Sequence, residues 1–279
     1  MYRKQRSKYF MCLLLFVVVL MTQPCSIDHG LKPIHSRISG HVLFRGTAPT
    51  TTDQVRVGAA ASFPPSQMNE ILFSDPIDFR RDSARYELYL PPGDYEVVAV
   101  IWKEHNQPWN ISDIIGLYGG FFLNDVFIPS FLPVSLEDGD SQLDDIHIPA
   151  DFNRVNRDAK IRGSVTFFGT WPKNSGMVAV AAFSKKPAPG DFVDYYFSSL
   201  YIDYSIPPFS AEGFYQCRVR GNEPVAYIAV LWIDDGFHLD QIRDLGFYED
   251  PLEPGEPGVV IPPANGVLEN IDIQIHFDS

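Results

Sequence analysis

Aromatic side chains beside amides in predicted loops are the residues of this sequence best suited to bind a ligand. Trp109 stands in the polar stretch 106–110, and Trp171 stands in a Gly/Pro turn. Tyr195 and Tyr196 begin a further aromatic run. The flat face of an aromatic ring matches the apolar face of a sugar, while amides bond its hydroxyl groups. These four residues are the predicted ligand-binding residues, and simple anchoring of loops is the alternative.

A cluster of acidic side chains around one glycine suits a cation. Asp138 and Asp140 flank Gly139, and oxygen ligands on a tight turn are what calcium prefers. The spacing differs from that of an EF-hand loop, and a solvated hairpin tip explains the same residues. The seven His residues include no pair at the helical spacing of a zinc site. We predict no metal site, with Asp138 and Asp140 as weak candidates, and no cofactor.

The residues needed for covalent catalysis do not form a recognisable pattern in the sequence. A hydrolase needs a nucleophile, a base and an orienting acid, and the chain has no G-x-S-x-G stretch. Cys217 takes the place of Leu88 when two similar segments are aligned, so we predict a small core residue there. The sequence therefore predicts no catalytic residues and a protein that is not an enzyme.

The elements that must position these residues occur twice along the chain. The stretch ISGHVLFRGTAP at 38–49 returns as IRGSVTFFGTWP at 161–172, with seven of the twelve positions identical. Further along, VAVIW at 98–102 returns as IAVLW at 228–232. Chance similarity rarely keeps such matches in order, so the pattern predicts a duplicated domain.

The limits of the two copies follow from the same alignment. Val134, near the end of the first copy, is aligned with Val259 in the second. The predicted domains are therefore residues 36–150 and 159–279, the second an internal repeat of the first. Residues 151–158 between them are short and mostly polar, which is typical of a linker.

Inside each copy the apolar residues recur with a period of two, which indicates strands with one packed face. Tyr86, Leu88 and Leu90 alternate with more polar neighbours, and the pattern returns at 215–219. Turns rich in Gly, Pro and Asn separate about seven such segments in each copy. We therefore predict an all-β fold of two tandem seven-stranded Greek-key β-sandwiches after an N-terminal signal segment.

Some regions fit the alternation less well. Residues 114–118 and 242–248 are predicted as short helical turns that cap one end of each sandwich. The aromatic run DYYFSSLYIDY at 194–204 is predicted as an inserted strand, because aromatic residues are frequent in strands.

The first 25 residues have the order of an export signal. Four basic residues precede the uninterrupted apolar run 10–21. That run is shorter than the roughly 20 residues of a membrane-spanning helix, and an uncleaved anchor is the alternative. Cys25 ends the segment and is a candidate for lipidation, whereas cleavage between 22 and 36 would release the chain. The protein is predicted to be exported to the periplasm, the cell surface or the medium.

The charge of the chain limits its partners. The formal net charge is −13, and removal of the signal would leave 18 basic against 35 acidic residues. Phosphate backbones and anionic lipids repel such a surface, so nucleic acid is disfavoured as a partner. A lipid anchor at Cys25 remains the predicted route to a membrane.

The segment YELYLPPGDYEVVA at 86–99 resembles the carboxypeptidase regulatory-like domains, which share a transthyretin-like seven-stranded sandwich. Those domains open with G-x-V and a Gly/Pro turn, as GHV at 40–42 does here, and EGFY at 212–215 matches their acidic-Gly-x-aromatic step. The first copy lacks that glycine, and the second has NEP at 222–224 in place of the Pro-Gly turn. The resemblance implies a non-catalytic exported module, and it concerns fold rather than function.

Two functions are compatible with these features. We predict a non-enzymatic exported or envelope-associated scaffold or protein-interaction module. The alternative is a carbohydrate-binding module that uses Trp109, Trp171, Tyr195 and Tyr196. The predicted partner is accordingly a protein or a glycan at the cell envelope. Exposed coplanar rings would favour the second function, and rings tucked under loops the first.

Overall fold

The computed structural model describes residues 36–124, 126–139, 141–238 and 241–277. In this part nearly all of the regular secondary structure is strand, which confirms the predicted all-β class. The predicted signal, including Cys25, lies outside the described residues. Over the same residues, the structure contains no helix of the length and apolarity that a bilayer crossing requires. We refer to 36–150 as the first half, 159–277 as the second half and 151–158 as the joint.

The strands of the first half are β1 (Arg37–Arg45), β2 (Thr52–Ala60), β3 (Leu72–Phe73), β4 (Ser83–Tyr89), β5 (Gly93–Tyr95), β6 (Val97–Glu104), β7 (Ile114–Leu117), β8 (Phe121–Leu123), β9 (Val126–Ile128), β10 (Val134–Leu136), β11 (Gln142–Leu143) and β12 (Ile148–Asp151). The second half contains β13 (Ala159–Phe168), β14 (Ser175–Phe183), α1 (Phe192–Ser198), β15 (Ser199–Asp203), β16 (Glu212–Val219), β17 (Tyr227–Asp234), β18 (Arg243–Phe247), β19 (Val267–Leu268) and β20 (Ile273–His276).

The first half is a sandwich of two layers. One layer has the order β4-β1-β12, with the short β11 also beside β1, and the other has the order β3-β2-β6-β7. The pair Ala150 and Gly116 joins the layers through β12 and β7. Apolar side chains from both layers, such as Ile38, Leu88 and Val57, meet in a buried core between them.

The second half repeats this arrangement strand for strand. Its layers are β16-β13-β20, with β19 also beside β13, and β15-β14-β17-β18. Bulges recur at matching places, between Thr52 and Gln54 in β2 and between Ser175 and Met177 in β14. A second core lies between its layers. This correspondence supports the duplication that we propose from the sequence.

In both halves, a buried tyrosine packs across a glycine and donates a hydrogen bond to a backbone carbonyl. The Tyr86 hydroxyl donates to the carbonyl of Ile146 at 2.8 Å, across Gly40. A Cβ atom on Gly40 would lie 2.2 Å from that carbonyl oxygen, so only glycine fits there. In the second half the Tyr215 hydroxyl donates to the carbonyl of Ile271 at 2.6 Å.

A tryptophan device also recurs. The Trp102 indole N–H donates at 2.8 Å to Thr52 Oγ1, which in turn donates to the carbonyl of Pro49. In the second half the Trp232 indole donates at 2.8 Å to Ser175 Oγ, which donates to the carbonyl of Pro172. Each buried indole therefore has a hydrogen-bond partner and fixes a turn, the one before β2 in the first half and the one before β14 in the second.

Some local predictions were wrong. Residues 114–118 and 242–248 hold the strands β7 and β18 rather than helical turns. All four residues of β7 are buried, and a short run buried on both faces has no period that separates strand from helix. The aromatic run is helix α1 followed by β15, because Asp191 caps the helix by accepting from the Asp194 N–H.

The alignment of Val134 with Val259 was also wrong by one residue. Val134 is buried, whereas Val259 is 59% exposed. Val260 is the buried residue, and it pairs with Val225. A shift of one residue in an extended segment exchanges its inward and outward side chains.

The joint is packed rather than free. Residues Phe152–Val155 form a 3-10 turn capped by Asp151, which accepts from the Asn153 N–H at 3.0 Å. Phe152 and Val155 are buried in the core of the first half. A polar composition predicts a flexible connection, but these two apolar side chains hold the joint in place.

Candidate functional site

An open cleft of about 590 Å³ lies where the two halves meet. Its walls come from the loop before β3, the loop after β6, the start of β14 and the turn after β17. The residues whose side chains matter most for binding are Gln67, Asn69, Trp109, Met177, Tyr204 and Phe237. Three aromatic rings and two amides therefore line one concave surface.

Trp109 is the predicted ligand-binding residue that lies in this cleft. Its half-buried ring stacks on Phe73, with 5.6 Å between the ring centroids and 15° between the planes. Phe237 belongs to the opposite half and is half exposed. The Gln67 amide lies 3.5 Å from the carbonyl oxygen of Gly236, so it bridges the two walls. The arrangement can hold a flat apolar ring with hydroxyl groups at its edge.

A polar extension continues from this cleft. A second cavity of about 260 Å³ shares Pro108 and Tyr204 with it. Gln107, Asp203 and Arg218 line the extension. A carboxylate, a guanidinium and an amide thus lie beside the aromatic surface, and of these Asp203 and Arg218 also make contacts within the protein.

Trp171 lies away from the cleft. Its indole N–H donates to the carbonyl of Ser210 at 3.1 Å. Its ring packs against Phe167 and Phe277, with centroid distances of 4.5 and 4.7 Å. The half-buried side chain closes one end of the second core, and it does not share a surface with Trp109.

Tyr195 and Tyr196 lie on α1, which packs between the halves. Tyr196 is buried and meets the ring of Phe63 in the first half edge to face, at 5.3 Å. Tyr195 packs against Phe183 at 5.1 Å, and its buried hydroxyl has no hydrogen-bond partner among the described residues. The structure therefore does not bring the predicted aromatic residues together on one face.

Sequence reasoning missed the role of Asn110, which lines the polar extension and connects the two halves. This buried side chain donates through Nδ2 to the carbonyl of Ile202 in the second half at 2.6 Å. Its Oδ1 accepts from the Ser112 N–H at 3.0 Å and caps a 3-10 turn. An Asn two residues before a Ser is a capping pattern, but the sequence does not show that the amide also reaches the other half.

A buried ion pair adjoins this contact. Arg157 of the joint lies 2.7 Å from Asp113, and their side chains are only 6% and 5% exposed. Burial raises the pKa of the Asp113 carboxyl, and Arg157 acts in the opposite direction. Arg218 of the second half pairs with Glu104 of the first. These two ion pairs connect the joint and the second half to the first half.

The hairpin β8–β9 carries an exposed apolar face. Leu123 pairs with Val126 and Phe121 with Ile128, which places these four side chains on one side. Leu123 is 57% and Val126 60% exposed. We call these four residues the hairpin patch.

The opposite face of the hairpin is anchored to the body of the protein. Phe122 and Phe127 pair there, with ring centroids 5.5 Å apart. The Arg45 guanidinium lies 4.9 Å from the centroid of the Phe122 ring, and Phe127 approaches Phe197 of α1 at 6.4 Å. The hairpin is therefore held in place while its patch faces solvent.

The remaining candidates for chemistry are isolated. Asp138 is exposed, and Asp140 lies outside the described residues. In the part of the chain that the structure covers, no three His, Cys, Asp or Glu side chains are grouped to hold a metal ion. Cys217 is buried, and burial raises the pKa of its thiol well above the ordinary value. A thiol in that state is a poor nucleophile.

Comparison with known proteins gives distant likenesses only. No family model and no curated protein matches the chain. A leucine-rich repeat protein from Bacteroides thetaiotaomicron aligns over 88% of this chain at 9% identity and a TM-score of 0.33. The chain spans only 27% of that protein.

Two further solved structures are similar to the same degree. A candidate cell adhesion protein from Bacteroides fragilis aligns over 88% of this chain and 94% of its own, at 10% identity and a TM-score of 0.27. A streptococcal ancillary pilin aligns over 86% and 69%, at 9% identity and a TM-score of 0.23. Likenesses at these scores establish neither a shared fold nor a shared role.

Proposed function

We propose that the protein is an exported, non-enzymatic module that acts by contacting another protein through the hairpin patch. The observation that carries this proposal is the row of apolar side chains on the outer face of β8–β9, of which Phe121, Leu123 and Val126 are exposed and Ile128 is half-buried. A hairpin in contact with water on one face normally alternates apolar and polar residues. A contiguous exposed apolar surface instead marks a site of interaction.

The joined halves suit such a role. The outer faces of the layers that contain β6 and β17 are apolar and packed, and Ile111 contacts both of these clusters. With the buried Asp113 and Arg157 pair, they make one body that carries the patch in a fixed position. The matching two-layer strand orders of the halves also support our proposal that the chain is a tandem carboxypeptidase regulatory-like module.

A photo-crosslinking experiment in intact cells of the source organism tests this function. A photoreactive amino acid replaces Val126 in the patch, and the matched control carries it at Leu252, an exposed apolar residue of the second half. We expect a discrete crosslinked product from position 126 that position 252 does not give. Adding Leu123→Asp should abolish the product without changing the melting temperature, because Leu123 is exposed. The same products from both positions, or none from 126, would contradict the proposal.

A second candidate function is supported by the cleft at the joint. We propose that it binds a glycan, with the sugar ring against Trp109 and Phe237 and its hydroxyl groups on Gln67 and Asn69. The aromatic and amide groups come from separate segments and face one cavity, which is the arrangement that sugar recognition requires.

A glycan array with matched variants tests the second function. Trp109→Ala should reduce binding at least about tenfold, since stacked aromatic rings supply much of the contact area. Trp171→Ala is the control, because this ring lies outside the cleft and should leave glycan affinity unchanged. Failure of the wild-type protein to bind any glycan would remove this function and leave the hairpin proposal intact.

A further inference from the structure

The outermost strands β4 and β16 occupy corresponding places in the two halves. Among the strands that the structure describes, each pairs on one side, β4 with β1 and β16 with β13. The free side of an edge strand presents unpaired N–H and C=O groups, which can accept another strand. The two edges therefore offer a direct internal comparison.

The ladder hydrogen bonds show which backbone groups face outward. The Leu90 N–H donates to the backbone carbonyl of Ser36, and the Phe44 N–H donates to the backbone carbonyl of Asp82. Because antiparallel partners alternate in direction, the even-numbered residues of β4 face β1. The outward groups are those of Ser83, Arg85, Glu87 and Tyr89; in β16, by the same reasoning, they are those of Glu212, Phe214, Gln216 and Arg218.

In the second half this edge is covered. Asp203 accepts from the outward N–H of Gln216, and the Ser205 hydroxyl donates to the outward carbonyl of Phe214 at 3.1 Å. Both capping residues lie at or just after the end of β15, where the chain crosses between the layers.

In the first half the crossing segment runs along β2 instead. Ser74 N–H donates to the carbonyl of Val57 and Ile77 N–H to that of Val55. Among the residues described, none bonds the outward N–H or C=O groups of Arg85 and Glu87. Within the described part of the chain, the edge of β4 is therefore open at Arg85 and Glu87.

We propose that β4 pairs antiparallel with β4 of a second copy of this chain, so that two first halves share one continuous sheet. Such an interface is isologous, with the same residues on both sides of a two-fold axis. The proposal concerns a surface separate from the hairpin patch and from the cleft.

Charge complementarity selects the second copy as the occupant and sets the register. Centring the two-fold axis on Tyr86 places Arg85 of each chain opposite Glu87 of the other, and both have outward backbone groups. A shift by two residues would place Arg85 opposite Arg85, or Glu87 opposite Glu87. Opposite charges across a strand pair stabilise it, and like charges destabilise it.

The local charge of this edge also permits self-association. Glu87 lies 3.0 Å from Arg37 and 3.1 Å from Arg85, so acidic and basic groups alternate here. The chain as a whole has a net charge of −13, which would oppose contact through most of its surface. At β4 that repulsion is locally compensated.

Sedimentation equilibrium of the purified full chain, from about 1 μM to 1 mM, tests the proposal. We expect a concentration-dependent dimer. Arg85→Glu or Glu87→Arg should each weaken it about tenfold or more, because each places like charges opposite one another twice. An equimolar mixture of the two variants should dimerise again, since the two acidic side chains of one variant then face the two basic side chains of the other.

Two further variants separate edge pairing from damage to the fold. Arg85→Pro removes an outward N–H while leaving the ladder with β1 intact, so it should abolish the dimer with little change in melting temperature. Gln216→Arg alters the position of the covered edge that corresponds to Glu87, and it should not affect association. A monomer at every concentration, or a dimer that Arg85→Pro and Arg85→Glu leave unchanged, would overturn the proposal.

Discussion

Tyr86 above Gly40 in the first half and Tyr215 above Gly163 in the second make the same contact, whereas β4 is open at its edge and β16 is covered. The shared contacts lie where two layers must close on each other and leave little freedom of side-chain size. The differences lie in crossing segments, hairpins and edges. Packing between the layers thus requires the same contacts in both halves. The halves differ in the crossing segments, hairpins and edges at the surface.

The largest loss of stability is expected from breaking the ion pair at the joint, a contact that is not repeated within the two halves. Asp113→Ala leaves the Arg157 charge buried without its partner. We expect a loss of about 3–5 kcal/mol in the free energy of unfolding, measured by urea denaturation. The control is Asp53→Ala, which removes a partly exposed pair with Lys103 and should change stability much less, because water screens that pair. Equal losses would show that the joint is not a buried electrostatic contact.

The next effect tests whether the interiors are equivalent. Gly40→Ala places a Cβ atom 2.2 Å from the Ile146 carbonyl oxygen, and Gly163→Ala places one 1.8 Å from that of Ile271. Each substitution should destabilise the protein by about 3 kcal/mol, measured by chemical denaturation. A mild effect at one site and a severe one at the other would break the equivalence of the halves.

A smaller effect sharpens the same equivalence. Tyr86→Phe and Tyr215→Phe each remove one buried hydroxyl and leave a carbonyl without that donor. Each should reduce the unfolding free energy by about 1–2 kcal/mol. Tyr89→Phe, on an exposed ring, is the matched control and should have no measurable effect. Thermal melts of the three variants compare them directly, and unequal shifts for Tyr86 and Tyr215 would contradict the comparison.

The smallest expected effect lies at the covered edge. Asp203→Ala removes the acceptor of the Gln216 N–H and should lower stability by only about 1 kcal/mol, because the freed group can bind water. It should also convert the edge of β16 toward the open state of β4. Hydrogen exchange at the Gln216 amide provides the measurement, and faster exchange is expected. Unchanged exchange would mean that Asp203 does not protect this edge.

The alternation of apolar and polar residues predicted most of the strands, because every second side chain of a strand faces the core and must be apolar there. Tyr86, Leu88 and Leu90 face the core as the period of two requires. The pattern failed at β7, where both faces are buried, and at Val259, where the two copies differ by one position. In each case the burial of the segment depends on packing against other strands, which the sequence of that segment alone does not show.

The candidate sites were predicted in part only. The residue type of Trp109 indicated a binding surface, but the cleft combines Gln67, Tyr204 and Phe237 from distant segments. Their proximity depends on how the halves pack, which strand periodicity does not determine. The hairpin patch was missed because the apolar runs at 121–123 and 126–128 do not alternate with polar residues. The open edge of β4 could be found only by knowing which of its residues form backbone hydrogen bonds with β1. Amino-acid composition does not contain that information.

The parallel pairing of first and last strands has a mechanical consequence. In each half the chain enters along β1 or β13 and leaves along β12 or β20, and these neighbours run in the same direction. Tension along the polypeptide would therefore pull the two strands past each other and load their hydrogen bonds together rather than in succession. Each half therefore resists stretching through the shear strength of one strand pair, β1 with β12 or β13 with β20.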